Sequence, residues 1–489
     1  MHKENFNQEY FGSFKGKVQF RDVFRQAIDI LPTESDERNS SFKAECGLNG
    51  ITGEFMRLLF EYDFDPVQDV SDLFEKVQNY LNTDEQFSMF DDENKKTLLQ
   101  VAKEVLYAGN KMAILDPSFF IYLPLTANNV DENVRKKYED SQKKLAHYLY
   151  DMLDFNSQHT PQFQNKNLLV SILRKAISDN TFPRNENFGR HYTILPFVKN
   201  QFNRDLKWFF EEHNESAISQ YLPLFLYFYV CYSLIQLVLN LNPKDLQENS
   251  NNKAHPLYYM LASEAASSSK PAVRYGWDEI AKNSLPKMLA KLQTLDILNC
   301  ILEEDVSTKN PIGFYPDIFD ELKKTTWDVS VKTDCEEILN KYQTEKKSVL
   351  KNRGDVANKN LGAQPDKVFD VNSYDEFINA LYELCSSLNT ADYLTRFANK
   401  ISDILRVKLL SIRRGYRVLA LDEDTLLFLI ALATKEKPTR LKDMYSALAE
   451  YGIVFSQETT SSIENYLLNF NLLDRKSDSG EAQYVTVVL

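Results

Sequence analysis

Glycine and proline are scarce in this chain, and their scarcity limits the folds open to it. The 489 residues include 14 glycines and 16 prolines, together about 6% of the chain where average usage gives about 12%. Large sandwiches, barrels and propellers need frequent turns with positive φ, which glycine supplies. The sequence therefore predicts a mainly α fold and disfavours a large β architecture.

The length and the changes in composition predict three parts. Apolar residues recur at helical spacing over long stretches from about residue 55, which predicts a large multi-helix body over residues 1–345, with a sub-boundary near 245–255. Residues 346–372 are polar and basic at their start, and they predict a flexible linker. A helical domain follows at 373–489, and Ser373 and Glu376 have the spacing of a capping box at its first helix.

One apolar stretch, residues 221–241, is long enough to cross a bilayer. Tyrosines, Ser233, Gln236 and Pro223 dilute it, and charges of both signs flank it. A helix that is apolar all round lies either in a protein core or in a membrane. The composition favours a central buried helix, with a membrane span as the alternative.

The charge balance and the cysteines place the chain in a broad class. The net charge of −13 is opposite in sign to that of a protein that wraps a polyanion, so any contact with nucleic acid depends on a local basic patch. Five scattered cysteines favour neither a disulfide framework nor a zinc site. The first residues carry no apolar segment of a signal peptide. These features predict a cytoplasmic protein without a membrane segment.

Residues 417–489 have the order of a winged helix, which is three helices followed by a hairpin. Gly452 is placed to end the second helix and Ser456 to begin the third. The third helix carries no lysine or arginine between Gln457 and Phe470, although it does offer hydroxyl groups. Two interpretations stay open for this module, which are docking to another protein and direct contact with DNA.

Basic residues cluster just before and within this module. They are the candidate nucleic-acid-binding residues, since lysine and arginine neutralise phosphates. The predicted set is Lys408, Arg413, Arg414, Arg417, Arg440, Arg475 and Lys476.

Motifs of catalysis are not found in the sequence. There is no G-x-x-x-x-G-K-[ST] phosphate loop, no H-E-x-x-H pair and no histidine with a metal partner at helical or finger spacing. No catalytic residue, metal ligand or cofactor is therefore predicted. Residues 256–278 hold a run of small residues followed by Lys270 and Arg274, which predicts either tight helix packing or a surface that contacts a partner or phosphate.

Two stretches carry a resemblance to a known family. They are YYMLASEAASSSKPAVRYGWD at 258–278 and KSDSGEAQYV at 476–485. Both resemble the G subunit of the DNA phosphorothioation-dependent restriction system, the DptG or DndG family. The resemblance implies a bacterial defence protein that works with an F and an H subunit, which carry ATPase or helicase-like chemistry, to restrict DNA lacking sulfur in its backbone. It implies no catalytic residues for this chain.

Three functional hypotheses follow. The first is a non-catalytic subunit of a restriction complex that bridges partner subunits and helps to hold duplex DNA. The second is a free-standing DNA-binding regulator that acts through the winged helix. The third is a metal-dependent nuclease with a site assembled from distant carboxylates.

Overall fold

The structure is a computed structural model that describes most of the chain after residue 46. The described residues are 13–14, 17–18, 47–64, 70–108, 111–112, 114, 116–123, 132–153, 181–183, 195–240, 253–265, 267, 270–302, 320–352, 356–389, 391–475 and 483–489. The fold is mainly α, as the shortage of glycine and proline predicts.

The first half of the fold is a set of helices around one apolar helix. Short 3₁₀ helices occur at Glu85–Phe87 and Pro117–Tyr122. The α-helices are α1 (Gly47–Phe60), α2 (Val70–Thr83), α3 (Asp92–Leu106), α4 (Glu132–Asp151), α5 (Pro196–Glu212) and α6 (Glu215–Asn240). Short strands in two-stranded sheets accompany them: β1 (Ser13–Phe14) with β2 (Lys17–Val18), β3 (Tyr62–Phe64) with β6 (Thr181–Pro183), and β4 (Tyr107–Ala108) with β5 (Lys111–Met112).

Helix α6 is the centre of the core. It is long and apolar enough to cross a membrane, but 94% of its most apolar window is buried inside the protein. Helices α1, α4 and α5 pack against it. Its diluting polar groups have partners within the fold: Ser233 is within hydrogen-bond distance of the Tyr148 hydroxyl, and Gln236 bonds the backbone of His255. The prediction of a central buried helix is confirmed.

A five-residue strand and an unusual helical segment follow. Strand β7 covers Leu257–Leu261, and a helical turn at Lys270–Ala272 leads into π-helical segments at Val273–Trp277 and Glu279–Ser284. These continue directly into α7 (Leu285–Leu302). A π-helix is rare and is often found at functional sites.

The next helices are α8 (Val329–Lys351), α9 (Val356–Gly362), α10 (Tyr374–Ser387) and α11 (Ala391–Leu405). They show that the prediction of a flexible linker at 346–372 is wrong for its described residues. The Lys347 side chain is buried, and its ammonium donates to the carbonyls of Gln364 and Pro365, each at 2.9 Å, and to Asp366 at 2.7 Å. In the sequence this lysine suggested a solvated linker. In the structure its ammonium joins α8 to the segment at residues 364–366.

The C-terminal elements join the body through a four-stranded sheet. The order is β11-β7-β9-β8, formed by β7 together with β8 (Leu410–Arg413), β9 (Tyr416–Leu421) and β11 (Ile453–Phe455). Strand β7 pairs in parallel with β11 on one side and with β9 on the other. A strand from the predicted body therefore lies between two strands of the predicted C-terminal domain, so the two parts share one sheet. Most of the sub-boundary predicted near 245–255 lies outside the described residues.

The predicted order of three helices and a hairpin is found in residues 423–485. The elements are α12 (Glu423–Thr434), β10 (Thr439–Arg440), α13 (Leu441–Ala449), α14 (Gln457–Asn469), β12 (Leu473–Arg475) and β13 (Gln483–Val485). Strand β13 lies between β10 and β12 and is antiparallel to both. Gly452 ends α13 with a φ of +73°, and the Ser456 side chain accepts from the N–H of Thr459 at the start of α14.

The turn between β8 and β9 contains a glycine with positive φ, and its substitution gives a testable prediction. Gly415 has a φ of +83°, and an added Cβ would meet open space. The left-handed conformation alone disfavours a side chain there, by about 1 to 2 kcal/mol. We expect Gly415→Ala to lower the free energy of unfolding by about 1 kcal/mol in urea denaturation. A loss of several kcal/mol would contradict the open geometry of this turn.

Candidate nucleic-acid interface

The β8–β9 hairpin carries or borders four of the seven predicted basic residues. Arg413 pairs with Tyr416 across the hairpin, and the two-residue turn at Arg414 and Gly415 has positive φ at both positions. This geometry matches the right-handed twist of the strands. Lys408 lies just before β8, and Arg417 is the second residue of β9.

Two of these four residues are used within the protein. The Lys408 ammonium lies 2.7 Å from the Asp422 carboxylate, which in turn caps α12 through the N–H of Thr425. Although burial alone would raise it, hydrogen bonds from Lys408 and Thr425 hold the pKa of Asp422 below its usual range. The Arg413 guanidinium donates to the carbonyls of Leu261, the last residue of β7, and of residues 262 and 264, which follow it. Both side chains therefore hold the sheet together.

The other two cations at the hairpin have more of their N–H groups free to contact a ligand. Arg414 is exposed at the tip of the turn, and no carboxylate in the described part of the chain pairs with it. Arg417 donates to the Asn399 side chain at 2.8 Å, and its guanidinium lies 5.6 Å from the centre of the Trp277 ring. Its Nε is buried and makes no hydrogen bond. Several N–H groups of Arg417 thus remain without an acceptor.

The π-helical segment brings two more cations to the same place. Ala272 and Val273 pack with Val418 and Ala420 of β9 in a small apolar cluster. This contact holds the segment that carries Lys270 and Arg274, both exposed, against β9. Among the described residues, neither has a carboxylate partner.

Gly276 makes this close approach possible. A Cβ on Gly276 would lie 2.6 Å from the carbonyl oxygen of Tyr258 in β7 and 3.4 Å from the Leu419 side chain in β9. Only a residue without a side chain fits so near to both strands. The π-helical segment is therefore held against β7 and β9 at the end of the sheet where the hairpin turns.

Two tyrosines complete this surface. Tyr275 is 50% exposed and Tyr416 is 65% exposed. The Tyr275 ring has Tyr258 at 5.7 Å between ring centres and Arg274 at 5.3 Å. We name the group the hairpin surface; it consists of Lys270, Arg274, Tyr275, Arg414, Tyr416 and Arg417.

Two of the remaining predicted residues, Arg440 and Arg475, lie on a different sheet. Arg440 is opposite Tyr484 in the β10–β13 pair, and its Nε donates to the Tyr484 hydroxyl at 3.4 Å, which raises the pKa of Arg440. The backbone of Arg475 pairs with Gln483. Lys476 lies outside the described residues. The structure thus divides the predicted set into a hairpin group and a group on the three-stranded sheet.

Helix α14 has little to offer a DNA groove at its first turn. Thr459 is buried, and its hydroxyl donates to the Glu264 carboxylate at 3.0 Å. The hydroxyls of Thr460, Ser461 and Ser462 donate back to carbonyls one turn earlier. The N-terminal turn of α14 is therefore docked on the segment that follows β7.

A buried charge network joins α5 to the C-terminal elements. Asp205 is fully buried, 2.7 Å from the Lys435 ammonium and 3.1 Å from Arg204. The hydroxyls of Tyr229 and Tyr451 also donate to it, the latter at 2.6 Å. Burial lowers the pKa of Lys435, although Asp205 opposes that effect. Every described group of the network has a partner inside the fold, which indicates a structural role.

Sequence reasoning identified Arg414 and Arg417 but missed the hairpin and its tyrosines. The available signal was Arg-Gly between the alternating runs that end at Ile412 and begin at Tyr416, a pattern typical of a two-residue hairpin. Asp205 gave no signal, because its partners lie far away in sequence. In the part of the chain that the structure describes, no group of three or more histidine, cysteine or acidic side chains could hold a metal ion.

No model of a known protein family matches the chain, and no curated protein matches it significantly.

Proposed function

We propose that this chain is a non-catalytic subunit of a bacterial DNA phosphorothioation-dependent restriction complex, in which it bridges the F and H subunits and holds duplex DNA at the hairpin surface. The observation that carries the proposal is that the hairpin and the π-helical segment pack together. Between them they bear Lys270, Arg274, Arg414 and Arg417, none of which has a carboxylate partner among the described residues. In a chain with a net charge of −13, a local patch of this kind is what contact with a polyanion requires.

The resemblance and the placement of its first segment agree with this proposal. Residues 258–278, which resemble the G-subunit family, include β7 and the π-helical segment, and they supply half of the hairpin surface. The charge cluster predicted Arg414 and Arg417, which are two of the other three members. Two independent sequence observations thus lead to one place in the fold. A restriction subunit of this type works in the cytoplasm.

The C-terminal module fits a docking role in this proposal. It has three helices and a sheet with the strand order β10-β13-β12, and in this proposal we treat it as a winged helix. The first turn of α14 lies against Glu264, and α14 carries Glu458 and Glu464 but no lysine or arginine. This arrangement disfavours a free-standing regulator that inserts its third helix into the major groove. We assign the outer face of the module to contact with partner subunits.

The salt dependence of DNA binding tests the proposal. We expect the full chain to bind duplex DNA, and the triple variant Lys270→Gln/Arg274→Gln/Arg414→Gln to bind more weakly across all sequences. Each lost phosphate contact lowers the slope of log K against log salt by about 0.9, so three lower it by about 2.7. Fluorescence anisotropy at several salt concentrations measures both quantities.

A matched variant controls for the change in net charge. Lys207→Gln/Lys324→Gln/Lys442→Gln also removes three charges from exposed lysines, but from other surfaces. We expect its slope to stay close to that of the wild type. Equal slopes for the wild type and the hairpin variant, or no binding by the wild type, would mean that the protein meets DNA only through its partners.

A further inference from the structure

The hairpin surface carries two exposed aromatic rings in addition to its cations. Tyr275 and Tyr416 expose half or more of their side-chain area in the midst of its cations. Contacts with phosphates alone use no aromatic ring, whereas these two rings stand next to cations. In the described part of the chain, no other ring packs against Tyr416. The rings therefore need an explanation that the phosphate contacts do not give.

We propose that the hairpin surface binds single-stranded nucleic acid, with bases stacked on Tyr275 and Tyr416 and the phosphates held by Lys270, Arg274, Arg414 and Arg417. The inference rests on the proposed function: the cations of the hairpin surface contact duplex DNA, and the tyrosines add a tighter binding of single strands at the same place. Sequence-tolerant binding of single strands combines a cationic track for the backbone with aromatic side chains on which bases stack. Both parts are present on this surface.

The chemistry of the two forms of DNA decides between them. In a duplex the base faces are stacked on one another, so a tyrosine reaches them only after unstacking, which costs a few kcal/mol per step. A single strand presents its base faces at a much smaller cost. A single strand can contact both the exposed rings and the guanidinium groups, whereas an intact duplex contacts only the cations. The surface therefore binds a single strand more tightly than a duplex.

The fold holds the two rings on firm supports. Tyr416 is fixed by its pairing with Arg413 across the hairpin. Tyr275 lies between Arg274 and Gly276, and Gly276 is fixed by its approach to the carbonyl of Tyr258. The Arg417 guanidinium is oriented by Asn399 and by the Trp277 ring. Because the backbones that carry the rings are already held, binding has to order only exposed side chains, which lowers its entropic cost.

Anisotropy with two labelled probes tests the inference on the full chain. One probe is a 12-nucleotide oligo-dT, and the other is a blunt duplex of mixed sequence with the same length. We expect the single strand to bind at least about ten-fold more tightly than the duplex at the same salt concentration. We expect Tyr275→Ala and Tyr416→Ala each to weaken single-strand binding about ten-fold, since stacking contributes about 1 to 3 kcal/mol per base, and to leave duplex binding nearly unchanged.

Three further variants serve as controls. Tyr416→Phe keeps the ring and should bind like the wild type, whereas Tyr416→Leu keeps apolar bulk without a ring and should bind like the alanine variant. Phe470→Ala removes an exposed ring, 59% exposed, from the end of α14 and should have no effect. Thermal unfolding of each variant confirms that it is folded.

The outcomes separate the inference from the proposed function. Salt-sensitive duplex binding with no preference for the single strand would overturn the inference and leave the proposed function standing. An equal loss of affinity for both probes when the tyrosines are changed to alanine would also overturn the inference. Binding of neither probe by the wild type would overturn both.

Discussion

Asp205→Ala should lower the free energy of unfolding by about 3 to 5 kcal/mol, because it removes a buried carboxylate that accepts from a partly buried ammonium and from two buried tyrosine hydroxyls. Lys435 lies 2.7 Å from the Asp205 carboxylate, and burial already lowers the pKa of that ammonium. The substitution also leaves the hydroxyls of Tyr229 and Tyr451 without their acceptor. Urea denaturation followed by far-ultraviolet circular dichroism measures the loss.

Lys435→Met removes the cation without creating the cavity that Asp205→Ala leaves, so it separates these two effects on stability. It removes the cation but keeps the carboxylate, which Arg204 and the two tyrosines still contact. We expect this variant to lose clearly less stability than Asp205→Ala. The structural role of the network would be contradicted if Asp205→Ala cost less than about 1 kcal/mol, the range of an exposed ion pair.

Gly276→Ala should destabilise the protein and weaken binding at the hairpin surface together. The new Cβ would lie 2.6 Å from the backbone oxygen of Tyr258, and a backbone atom cannot move aside as a flexible side chain does. Overpacking of this kind costs about 1 to 3 kcal/mol. To relieve the overlap, the π-helical segment must move away from β7, which carries Lys270, Arg274 and Tyr275 away from the hairpin.

Gly415→Ala is the matched control for this change. It adds the same methyl group to a residue of the hairpin itself, where there is space but a φ of +83°. We expect it to cost about 1 kcal/mol with little effect on the π-helical segment. Anisotropy with the oligo-dT probe, alongside denaturation, distinguishes the two variants. Unchanged stability and binding for Gly276→Ala would contradict the close packing described here.

Local sequence signals predict the helices well because they act within one turn. The capping pattern at Ser373 and Glu376 is present as a hydrogen bond of 3.2 Å at the start of α10, and Ser456 caps α14 as predicted. The uniformly apolar stretch around Phe228 is the buried helix α6. In each case the stabilising partners lie within a few residues, or the apolar character alone requires burial.

The misplaced boundaries have a common physical cause. Strand β7 pairs in parallel with Ile453–Phe455, almost 200 residues later in the chain, and parallel pairs leave no local turn signal. The lysines near residue 347 suggested a solvated linker, because charge is usually exposed. The acceptors that bury Lys347 lie 17 to 19 residues away and could not be inferred from helical spacing.

The candidate site was likewise predicted only where the signal is local in the sequence. Arg414 and Arg417 were predicted because cations cluster in the sequence. Their meeting with Lys270, Arg274 and Tyr275 depends on the parallel pairing of β7 with β9, which the sequence does not reveal. Arg413 and Lys408 look the same as their neighbours in the sequence, and only the fold shows that they bind carbonyls and Asp422.

Photo-cross-linking tests most directly whether the hairpin surface holds nucleic acid. An oligonucleotide with 5-iododeoxyuridine in place of thymidine would be bound to the full chain, irradiated, and the adducts mapped by mass spectrometry. We predict adducts on Tyr275 and Tyr416, lost when Lys270, Arg274 and Arg414 are all changed to glutamine. Adducts confined to α14 or to the sheet of β10, β12 and β13, with none at the hairpin surface, would contradict this assignment.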